Sequence, residues 1–465
     1  MNANRVNTIK IGSHSNEEIR YVLYWMQQSQ RVHFNHALSH AITTANEKSL
    51  PLIVFFGLTP NYPDANLRHY QFMLEGLAEV RKTLEKMNIP FVFKLESPEK
   101  AIIPLLERAD TLVMDYGYLF TQKRWRQAVW DYANRHLVHL TIDIVDTDVI
   151  VPVDIASNKA EYGAYTLRPK LHKLYQEYRD YDGLLEINNP NDLLIESDDD
   201  LSNIPCLLDR LSIDKSVKPS SIYKGGYSEA KKWLFHFLNN NINYYPLSNN
   251  PGKDYTSKLS LYLHFGQISS LEILEYLIEK FHSNEITQEA YLSFFEQLLV
   301  RRELAFNYVV FHKSYYLFEH MTERWAYQTM AEHKNDYKVY EYTIEDYVEF
   351  KTHDSYFNTA MKEMVFTGYM HNYMRMYWAK KIIEWSKNFE IAYQTIMYLN
   401  NKYFIDGRDA NSYAGVAWCF GKHDRAWIER PIFGKLRYMN SSGLERKFDM
   451  DQYIKRIDNL IDNQQ

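Results

Sequence analysis

The first third of the chain alternates short apolar runs with helical patterns, and this alternation restricts the fold more than any other feature. The runs are RYVLYW from Arg20, PLIVFFGL from Pro51, PFVFKL from Pro90, TLVMDY from Thr111 and LTIDIVD from Leu140. They are short, rich in Val, Ile and Phe, and bounded by polar segments, which predicts buried strands. Helical patterns lie between them, as at 68–87 and 98–108. Strands that alternate with helices predict an α/β domain with a doubly wound parallel sheet of the Rossmann-like type.

Beyond this region the pattern changes twice. Residues 172–228 are polar and acidic, notably in NNPNDLLIESDDDLSNIP, and predict an interdomain linker. Later segments such as SSLEILEYLIEKF and EAYLSFFEQLLVRREL repeat apolar residues every three to four positions. We therefore predict an α/β domain over 1–171, a linker over 172–228 and an all-helical domain over 229–465.

Composition excludes several classes of protein. The 465 residues carry a formal net charge of −6, so any nucleic-acid surface must be a local basic patch. Two distant cysteines, Cys206 and Cys419, support neither a disulfide framework nor a thiolate metal site. His353, His371 and His423 lack metal-ligand spacing, and the chain contains no GxGxxG pattern of a dehydrogenase. The sequence shows no signal core and no run of about 18 apolar residues, so we expect a soluble intracellular protein with no membrane contact.

The helical half carries a series of motifs rich in amides, charges and tryptophans. They include LSLYLHFGQIS from Leu259, RRELAFNY from Arg301, GYMHNYMRMYWAKKIIEW from Gly368, DGRDANSYAG from Asp406, HDRAW from His423 and FGKLRYMN from Phe433. By periodicity alone, such aromatic stripes are more often packed core than a cofactor site. In this order, and with YWMQQSQRVHFNHAL from Tyr24, they resemble the class II cyclobutane-pyrimidine-dimer photolyases of the photolyase/cryptochrome family. The resemblance covers nearly the whole chain.

The resemblance implies that the helical domain binds flavin adenine dinucleotide (FAD). Hydroxyl side chains ahead of a helix suit a pyrophosphate, although such a cluster is more often an N-cap. In the family a salt bridge packs against the flavin ring, and its two residues correspond to Arg375 and Asp406 in this chain. The family's asparagine beside the ring nitrogen corresponds to Asn400. The full cofactor set is Tyr255, Thr256, Ser257, Leu259, Ser260, Asn372, Arg375, Asp406 and Arg408, with Asn400 as a catalytic residue. The resemblance also implies a second, light-harvesting chromophore in the N-terminal domain. Its presence and its type (deazaflavin, folate or FMN) stay open.

Two tryptophans on one predicted helix are candidates for electron transfer. Trp378 and Trp385 are seven residues apart, hence on one face and about 10 Å apart along the axis. In the family, tryptophans at these places relay electrons to the flavin through a third tryptophan in a THDxxWN motif. This chain has Phe357 at that position, and phenylalanine is much harder to oxidise. We hypothesise a weakened relay, or a route through a tyrosine such as Tyr356, Tyr373 or Tyr377.

The resemblance also implies a pocket for a flipped-out dimer, with DNA around it. Trp418 resembles the tryptophan that packs on the dimer, and Trp427 and Asp424 belong to the DNA-facing HDRAW motif. A family glutamate that binds the dimer falls near Glu296, although Gln297 stands where a second glutamate is usual. DNA binding needs cations along the phosphates, and the segment 425–447 supplies an excess of them. The predicted DNA-contact residues are Trp418, Trp427, Arg301, Arg302, Asp424, Arg425, Lys435 and Arg437.

Together these features predict a light-driven enzyme that repairs cyclobutane pyrimidine dimers by electron transfer from FAD. We expect a cytoplasmic monomer, associated with the nucleoid when bound to DNA. The alternative is a cryptochrome-like photosensor with the same fold and flavin, and a DNA-binding protein without flavin is a third possibility. Dimer loss under light separates the first two, and a visible absorption spectrum separates the third.

Overall fold

The computed structural model describes residues 2–13, 19–189 and 201–462. Residues 190–200, which are part of the predicted linker, lie outside these ranges. The strands are β1 (Val6–Lys10), β2 (Tyr21–Trp25), β3 (Leu52–Gly57), β4 (Phe91–Lys94), β5 (Ala109–Asp115) and β6 (Thr141–Val145). The helices of the first half are α1 (His36–Glu47), α2 (Leu67–Lys86), α3 (Pro98–Ala101), α4 (Ile103–Leu106), α5 (Phe120–His136), α6 (Val153–Ala156), α7 (Ala164–Leu174) and α8 (Ile204–Arg210).

The second half is helical throughout its described part. Its helices are α9 (Tyr227–His236), α10 (Ser260–His264), α11 (Ser270–His282), α12 (Gln288–Phe295), α13 (Arg302–Phe311), α14 (Arg324–Glu332), α15 (Ile344–Val348), α16 (Ser355–Thr367), α17 (Asn372–Trp385), α18 (Phe389–Tyr403), α19 (Ala410–Cys419), α20 (Ser441–Glu445) and α21 (Met450–Asp462). Two π-helical turns, Phe237–Asn241 and Glu296–Arg301, interrupt them, and 3₁₀ turns occupy Ala3–Arg5, Ile242–Leu247 and Phe318–His320. Every helix in the described ranges is too short or too polar to cross a bilayer.

The sheet confirms the predicted class of fold. Its order is β1-β6-β5-β2-β3-β4, and the five predicted strands pair in parallel. The sequence reading did not include β1, which pairs antiparallel with β6 at the edge. This strand reads VNTIK and is largely exposed, so it lacks the apolar run that marked the others. The single helix predicted over 98–108 is divided into α3 and α4; Pro104, which has no N–H to donate, lies in the second helix.

The strand order reverses between β2 and β5, so that their carboxyl ends form a crevice. Asp115, fully buried at the end of β5, accepts backbone N–H groups of Gln27 and Ser29 at 3.0 and 2.6 Å. Burial raises the pKa of the Asp115 carboxyl to about 6. This carboxyl therefore fixes the loop after β2, which forms one wall of the crevice.

A buried glutamate joins the segment after β6 to helix α13. Glu303 Oε1 accepts N–H groups of Ile150 at 2.6 Å and Val151 at 3.4 Å. Burial raises the pKa of the Glu303 carboxyl to about 8. The contact joins sheet-side and helical elements directly; the predicted boundaries at 171 and 228 stay predictions.

We expect Glu303→Ala to destabilise the protein by about 3 kcal/mol or more, because two buried N–H groups lose their acceptor. Glu303→Gln is the matched control, since its amide oxygen can still accept. A carboxyl whose pKa rises on folding stabilises the protein fully below its unfolded pKa of 4.5, and that contribution is lost as the pH rises to about 8. Thermal midpoints between pH 4.5 and 8 should therefore fall more in the unmodified protein than in Glu303→Gln. Equal stability of the Ala and Gln variants would contradict the anchoring role.

Candidate functional site

The helical domain encloses a large cavity that brings together most of the predicted residues. It holds about 1660 Å³ of space, part of it open to solvent. Its walls come from the turn before α10 and from α13, α17, α18 and α19. Among the residues that line it are Thr256, Ser257, Leu259, Ser260, Arg301, Arg302, Asn372, Arg375, Trp378, Asn400, Asp406 and Trp418. Residues far apart in sequence, and predicted for one site, therefore share one cavity.

The hydroxyl turn lies on the cavity wall as predicted. Lys258 has a left-handed backbone (φ +60°), which turns the chain sharply between Ser257 and Leu259. Its ammonium is buried 2.6 Å from Asp254 and 4.1 Å from the centre of the Tyr369 ring. The Tyr369 hydroxyl bonds Thr256 Oγ1 at 3.2 Å. The turn is thus fixed by a buried cation and presents hydroxyl groups to the cavity.

Tyr255 lies beside this cavity wall. Its ring stacks on Tyr244, with centroids 5.0 Å apart, and it is absent from the described residues that line the cavity. The other predicted cofactor residues of the turn line the cavity, whereas Tyr255 does not. Its assignment to the cofactor stays a prediction without a supporting contact.

Arg375 and Asp406 form an ion pair across the cavity wall. Arg375 Nη2 lies 3.0 Å from Asp406 Oδ1 and donates to Oδ2 at 3.2 Å. The guanidinium packs 4.0 Å from the centre of the Phe404 ring, and its Nε donates to the Met370 carbonyl. Asp406 is 7% exposed. Its Oδ1 is buried and lies near Arg375 Nη2 but accepts no hydrogen bond from the described residues, so it can accept an N–H group of a ligand.

Asn400 also faces the cavity, and a tight turn holds it in place. Its Nδ2 donates to Asn401 Oδ1 at 3.0 Å, and the residue is 5% exposed. The loop after α18 passes so close that a Cβ on Gly407 would lie 2.6 Å from the Asn400 carbonyl oxygen. Glycine is therefore required at this point of the DGRDA motif.

Arg408 lines a second cavity and not the first, so its assignment to the flavin stays a prediction without a supporting contact. Its backbone is left-handed (φ +60°), so its side chain leaves the chain away from that of Asp406. Its Nη1 donates to the Asn401 carbonyl at 2.7 Å and lies 2.9 Å from His69 Nε2. Sequence adjacency suggested one site for both residues, whereas the local backbone separates them.

The second cavity lies at the crevice where the strand order reverses. It holds about 920 Å³ and is lined by side chains from both halves of the chain, including Trp25, Gln27, Gln30, Tyr62, Trp125, His264, Arg408 and Asp409. Both polar atoms of the buried Gln27 amide, and Gln30 Oε1, find no partner among the described residues. The His264–Asp409 pair, 3.1 Å apart, lines both cavities. Apart from Arg408, sequence reasoning missed these residues, although the doubly wound sheet already indicated where such a site would form.

Trp378 and Trp385 differ in their surroundings. Trp378 lines the first cavity, and its indole N–H donates to Met361 Sδ at 3.0 Å. Trp385 is buried farther along α17, with Phe357 and Tyr342 at centroid distances of 5.0 and 5.1 Å. Phe357, fully buried, therefore contacts Trp385 where the family motif has a tryptophan.

The three tyrosines named as alternative relays have other partners. Tyr377 donates to Asp354, Tyr356 donates to Glu445 at 3.0 Å, and Tyr373 packs on Phe448 with centroids 4.9 Å apart. The tyrosines whose rings contact Trp385 are instead Tyr342 and Tyr347. No sequence pattern indicated this contact, because Tyr342 and Tyr347 lie just before and within α15, whereas Trp385 lies on α17.

Glu296 is held at the side of the cavity by two arginines. Its carboxylate accepts from Arg168 Nη2 at 2.7 Å and Arg301 Nε at 3.1 Å. Although burial acts in the opposite direction, these arginines hold the pKa of Glu296 below its usual value. The next residue, Gln297, lines the cavity instead. Gln297 therefore presents an amide to the cavity, and the role of Glu296 at the substrate stays a prediction.

A stack of arginines and tryptophans leads outward from Trp418. The Arg437 guanidinium lies 5.0 Å from the Trp418 ring centre and 4.3 Å from that of Trp427. Arg425 lies on Trp427 at 5.2 Å. Asp424 accepts from Arg437 Nε at 2.9 Å and from the Trp427 indole at 3.3 Å, so its carboxylate orients the stack. Burial opposes the shift, but Arg437 holds the pKa of Asp424 below its ordinary range.

The other cations predicted to contact DNA differ in solvent exposure and in their ion-pair partners. Lys435 is half exposed, with its nearest carboxylate oxygen, on Glu429, at 3.8 Å. Arg302 is buried, donates to Asp148 Oδ2 at 3.0 Å and also lines the first cavity. Arg301 lines that cavity and is half exposed. Among the described residues, no group of three potential ligands could hold a metal ion.

The sheet, the helical domain and the cavities define the photolyase and cryptochrome class of fold. A class III photolyase from Agrobacterium tumefaciens superposes with a TM-score of 0.71 at 18% identity, over 95% of this chain and 87% of that one. A Synechocystis cryptochrome superposes with a TM-score of 0.73 at 14% identity, over 95% and 89%.

Sequence comparison identifies the family. The DNA photolyase family model matches residues 22–190. A deoxyribodipyrimidine photo-lyase of Methanothermobacter thermautotrophicus is 43% identical over 95% of each chain. One from Potorous tridactylus is 36% identical over 98% of this chain and 85% of its own length. The chain belongs to the DNA photolyase family.

Proposed function

We infer that this protein is a deoxyribodipyrimidine photo-lyase, which uses light and FAD to split pyrimidine dimers in DNA. One observation carries this conclusion: the ion pair Arg375–Asp406 and the ring of Trp418 lie on the walls of one cavity. A cofactor beside the ion pair and a base beside the tryptophan would therefore be neighbours, as direct electron transfer requires.

The residues present fit FAD. Thr256, Ser257 and Ser260 offer hydroxyl groups for a pyrophosphate. Asp406 Oδ1 offers a buried acceptor for a ring N–H, and Arg375 supplies a cation that stabilises an anionic, reduced ring. When bound, reduced and excited by light, FAD supplies the electron that opens the cyclobutane ring. The chain itself binds, orients and excludes water.

The chain's own residues would receive the substrate on the other side of the cavity. A dimer must leave the duplex before it can enter, and weakened stacking at the lesion lowers the cost. Trp418 supplies a flat wall for the extruded bases, and the Gln297 amide can donate to or accept from their edges. The Arg437–Trp427 stack extends from this wall to the surface, where it can fill the space that the dimer leaves. Assignment to class II, and to cyclobutane rather than six-four lesions, stays a prediction.

Illumination of the purified protein with a dimer-containing oligonucleotide tests the function. We expect recovery of intact thymines under blue or near-ultraviolet light and none in the dark. Trp418→Ala should retain the yellow flavin and lose most of the repair. A flavin-loaded protein that leaves dimers intact would support the photosensor instead, and a protein that cannot be loaded with flavin would exclude both.

The DNA contacts should make affinity strongly dependent on salt. Each phosphate neutralised by a cation releases counterions, so the logarithm of affinity falls linearly with the logarithm of salt concentration. We expect Lys435→Ala to reduce the slope by about one. Arg437→Ala should cost more affinity, because it also removes the stack between Trp418 and Trp427. Fluorescence anisotropy at several salt concentrations measures both, with the exposed Lys82→Ala on α2 as control. A flat slope in the unmodified protein would refute the predicted interface.

We further propose that the second cavity holds the light-harvesting chromophore. Its aromatic walls, the unpartnered Gln27 amide and the unpartnered Gln30 Oε1 suit a flat ring with both donors and acceptors; deazaflavin, folate and FMN types all remain candidates. Binding of each, followed by fluorescence quenching in the unmodified protein and in Gln27→Leu, would identify it. The protein would act as a monomer in the cytoplasm, associated with the nucleoid when bound to DNA.

A further inference from the structure

The segment that runs from the end of α6 into the first turn of α7, residues Ser157–Tyr165, is held by hydrogen bonds from the helical domain; we call it the connecting segment. The buried Asn307 of α13 accepts from the Glu161 N–H at 2.7 Å and donates to the Lys159 carbonyl at 2.9 Å. His423 Nδ1 donates to the Tyr162 carbonyl at 2.8 Å. Three successive backbone contacts therefore fix the course of this segment.

The side chains of the connecting segment divide into buried and exposed groups. Glu161 is buried and accepts from Ser157 Oγ at 2.6 Å and from Lys170. The rings of Tyr162 and Tyr165 are 43% and 65% exposed, and they contact each other edge to face at 6.1 Å. Lys159 is exposed as well. The backbone is thus fixed while two aromatic rings and one cation project from it.

The connecting segment is linked by contacts to residues of the first cavity. The Tyr162 hydroxyl lies 3.4 Å from the carbonyl of Asp424, whose carboxylate holds Arg437 in the stack above Trp418. Arg168, on α7, donates to Glu296. Glu296 also accepts from Arg301, which lines the cavity. Two separate chains of contacts therefore connect this region to the rim.

Charge at this place also differs from that of the whole protein, whose formal net charge is −6. Residues 157–173 contain four cations, of which Lys170 is paired with Glu161 and Arg168 with Glu296. Lys159 and Lys173 therefore supply the local excess of positive charge. Such a local excess favours a polyanion. Exposed aromatic rings near unpaired bases can stack on them without sequence preference.

We propose that the connecting segment is a second DNA-contact surface, which binds the strand beside the flipped dimer. Lys159 contacts a phosphate, and the Tyr162–Tyr165 pair packs on a base that the flipping has exposed. The segment is fixed before DNA arrives, so little ordering entropy is lost on binding. This inference rests on the proposed function and adds contact residues from outside the helical domain.

Binding of a dimer-containing duplex, measured by fluorescence anisotropy, tests the proposal. We expect Tyr165→Ala to weaken binding about fivefold or more, and Tyr165→Phe to bind like the unmodified protein. Lys159→Ala should reduce the salt slope by about one. The matched controls are Tyr398→Ala, an exposed tyrosine on the outer face of α18, and Lys82→Ala on α2. All variants should retain their flavin, because none of these side chains lines the first cavity.

The outcomes separate this inference from the function on which it rests. Loss of affinity in Tyr165→Ala and a reduced slope in Lys159→Ala, with unchanged controls, would support it. If the unmodified protein binds and repairs the duplex while both variants behave as the controls do, the connecting segment has no such role. If the unmodified protein does not bind dimer-containing DNA, the proposed function itself fails.

Discussion

Arg375→Met is expected to weaken the affinity for FAD by about a hundredfold, since a buried charge left unpaired costs several kcal/mol. The variant leaves the Asp406 carboxylate, 7% exposed, without the guanidinium 3.0 Å away. That charge would then face an anionic cofactor across the same cavity. Methionine keeps much of the packing on Phe404, so the effect reports the lost charge.

Flavin content after purification, and titration of the apoprotein with FAD, measure this effect. Arg375→Lys is the matched control: it keeps the charge without the planar fork of the guanidinium, and we expect an intermediate affinity. The double variant Arg375→Met, Asp406→Leu removes the unpaired carboxylate and should recover part of the affinity. Full flavin occupancy in Arg375→Met would show that the ion pair has no part in cofactor binding.

Phe357→Trp is expected to accelerate photoreduction of the bound flavin by about a hundredfold or more. An oxidisable ring at this position lowers the barrier to electron transfer, and each ~1.4 kcal/mol removed from that barrier gives a factor of ten in rate. Phe357 lies 5.0 Å from Trp385, at the place of the family's intervening tryptophan. A tryptophan there provides an oxidisable ring in contact with Trp385. Because the site is fully buried, the larger ring costs about 1–3 kcal/mol of stability.

Transient absorption after a light pulse, with oxidised flavin as the starting state, measures the rate. Phe357→Leu serves as the control, since it changes packing without adding an oxidisable ring. Tyr342→Phe tests whether the tyrosine against Trp385 takes part in the unmodified protein. An equal rate in Phe357→Trp and the unmodified protein would show that electron transfer does not pass through this position.

The sequence predicted those elements whose signal is local. The five parallel strands are buried on both faces, so they read as continuous apolar runs, and the structure confirms them. The edge strand β1 was missed because it pairs on one side only and carries polar residues. Helix-spaced motifs predicted most of the cavity wall, and Arg375 and Asp406, 31 residues apart, do meet there.

Two predicted site residues whose side chains do not line the first cavity, Glu296 and Arg408, lie at irregular backbone. A helical period of 3.6 residues cannot tell which of Glu296 and Gln297 faces the cavity, because both lie in a π-helical turn. Arg408 follows Asp406 by two residues, yet its positive φ sends it to the other cavity. In both cases one backbone feature, invisible in composition, decides the direction of a side chain.

By itself the sequence determined the α/β and helical architecture and the position of Trp378 and Trp385 on one helix. These follow from periodicity, capping residues and motif order, which act over a few residues at a time. Only the tertiary structure decided which residues share a wall: Tyr162 beside Asp424, 262 positions later, or the His264–Asp409 pair between two cavities. Such contacts arise when distant helices pack, and packing depends on the shape of the whole core rather than on any local pattern.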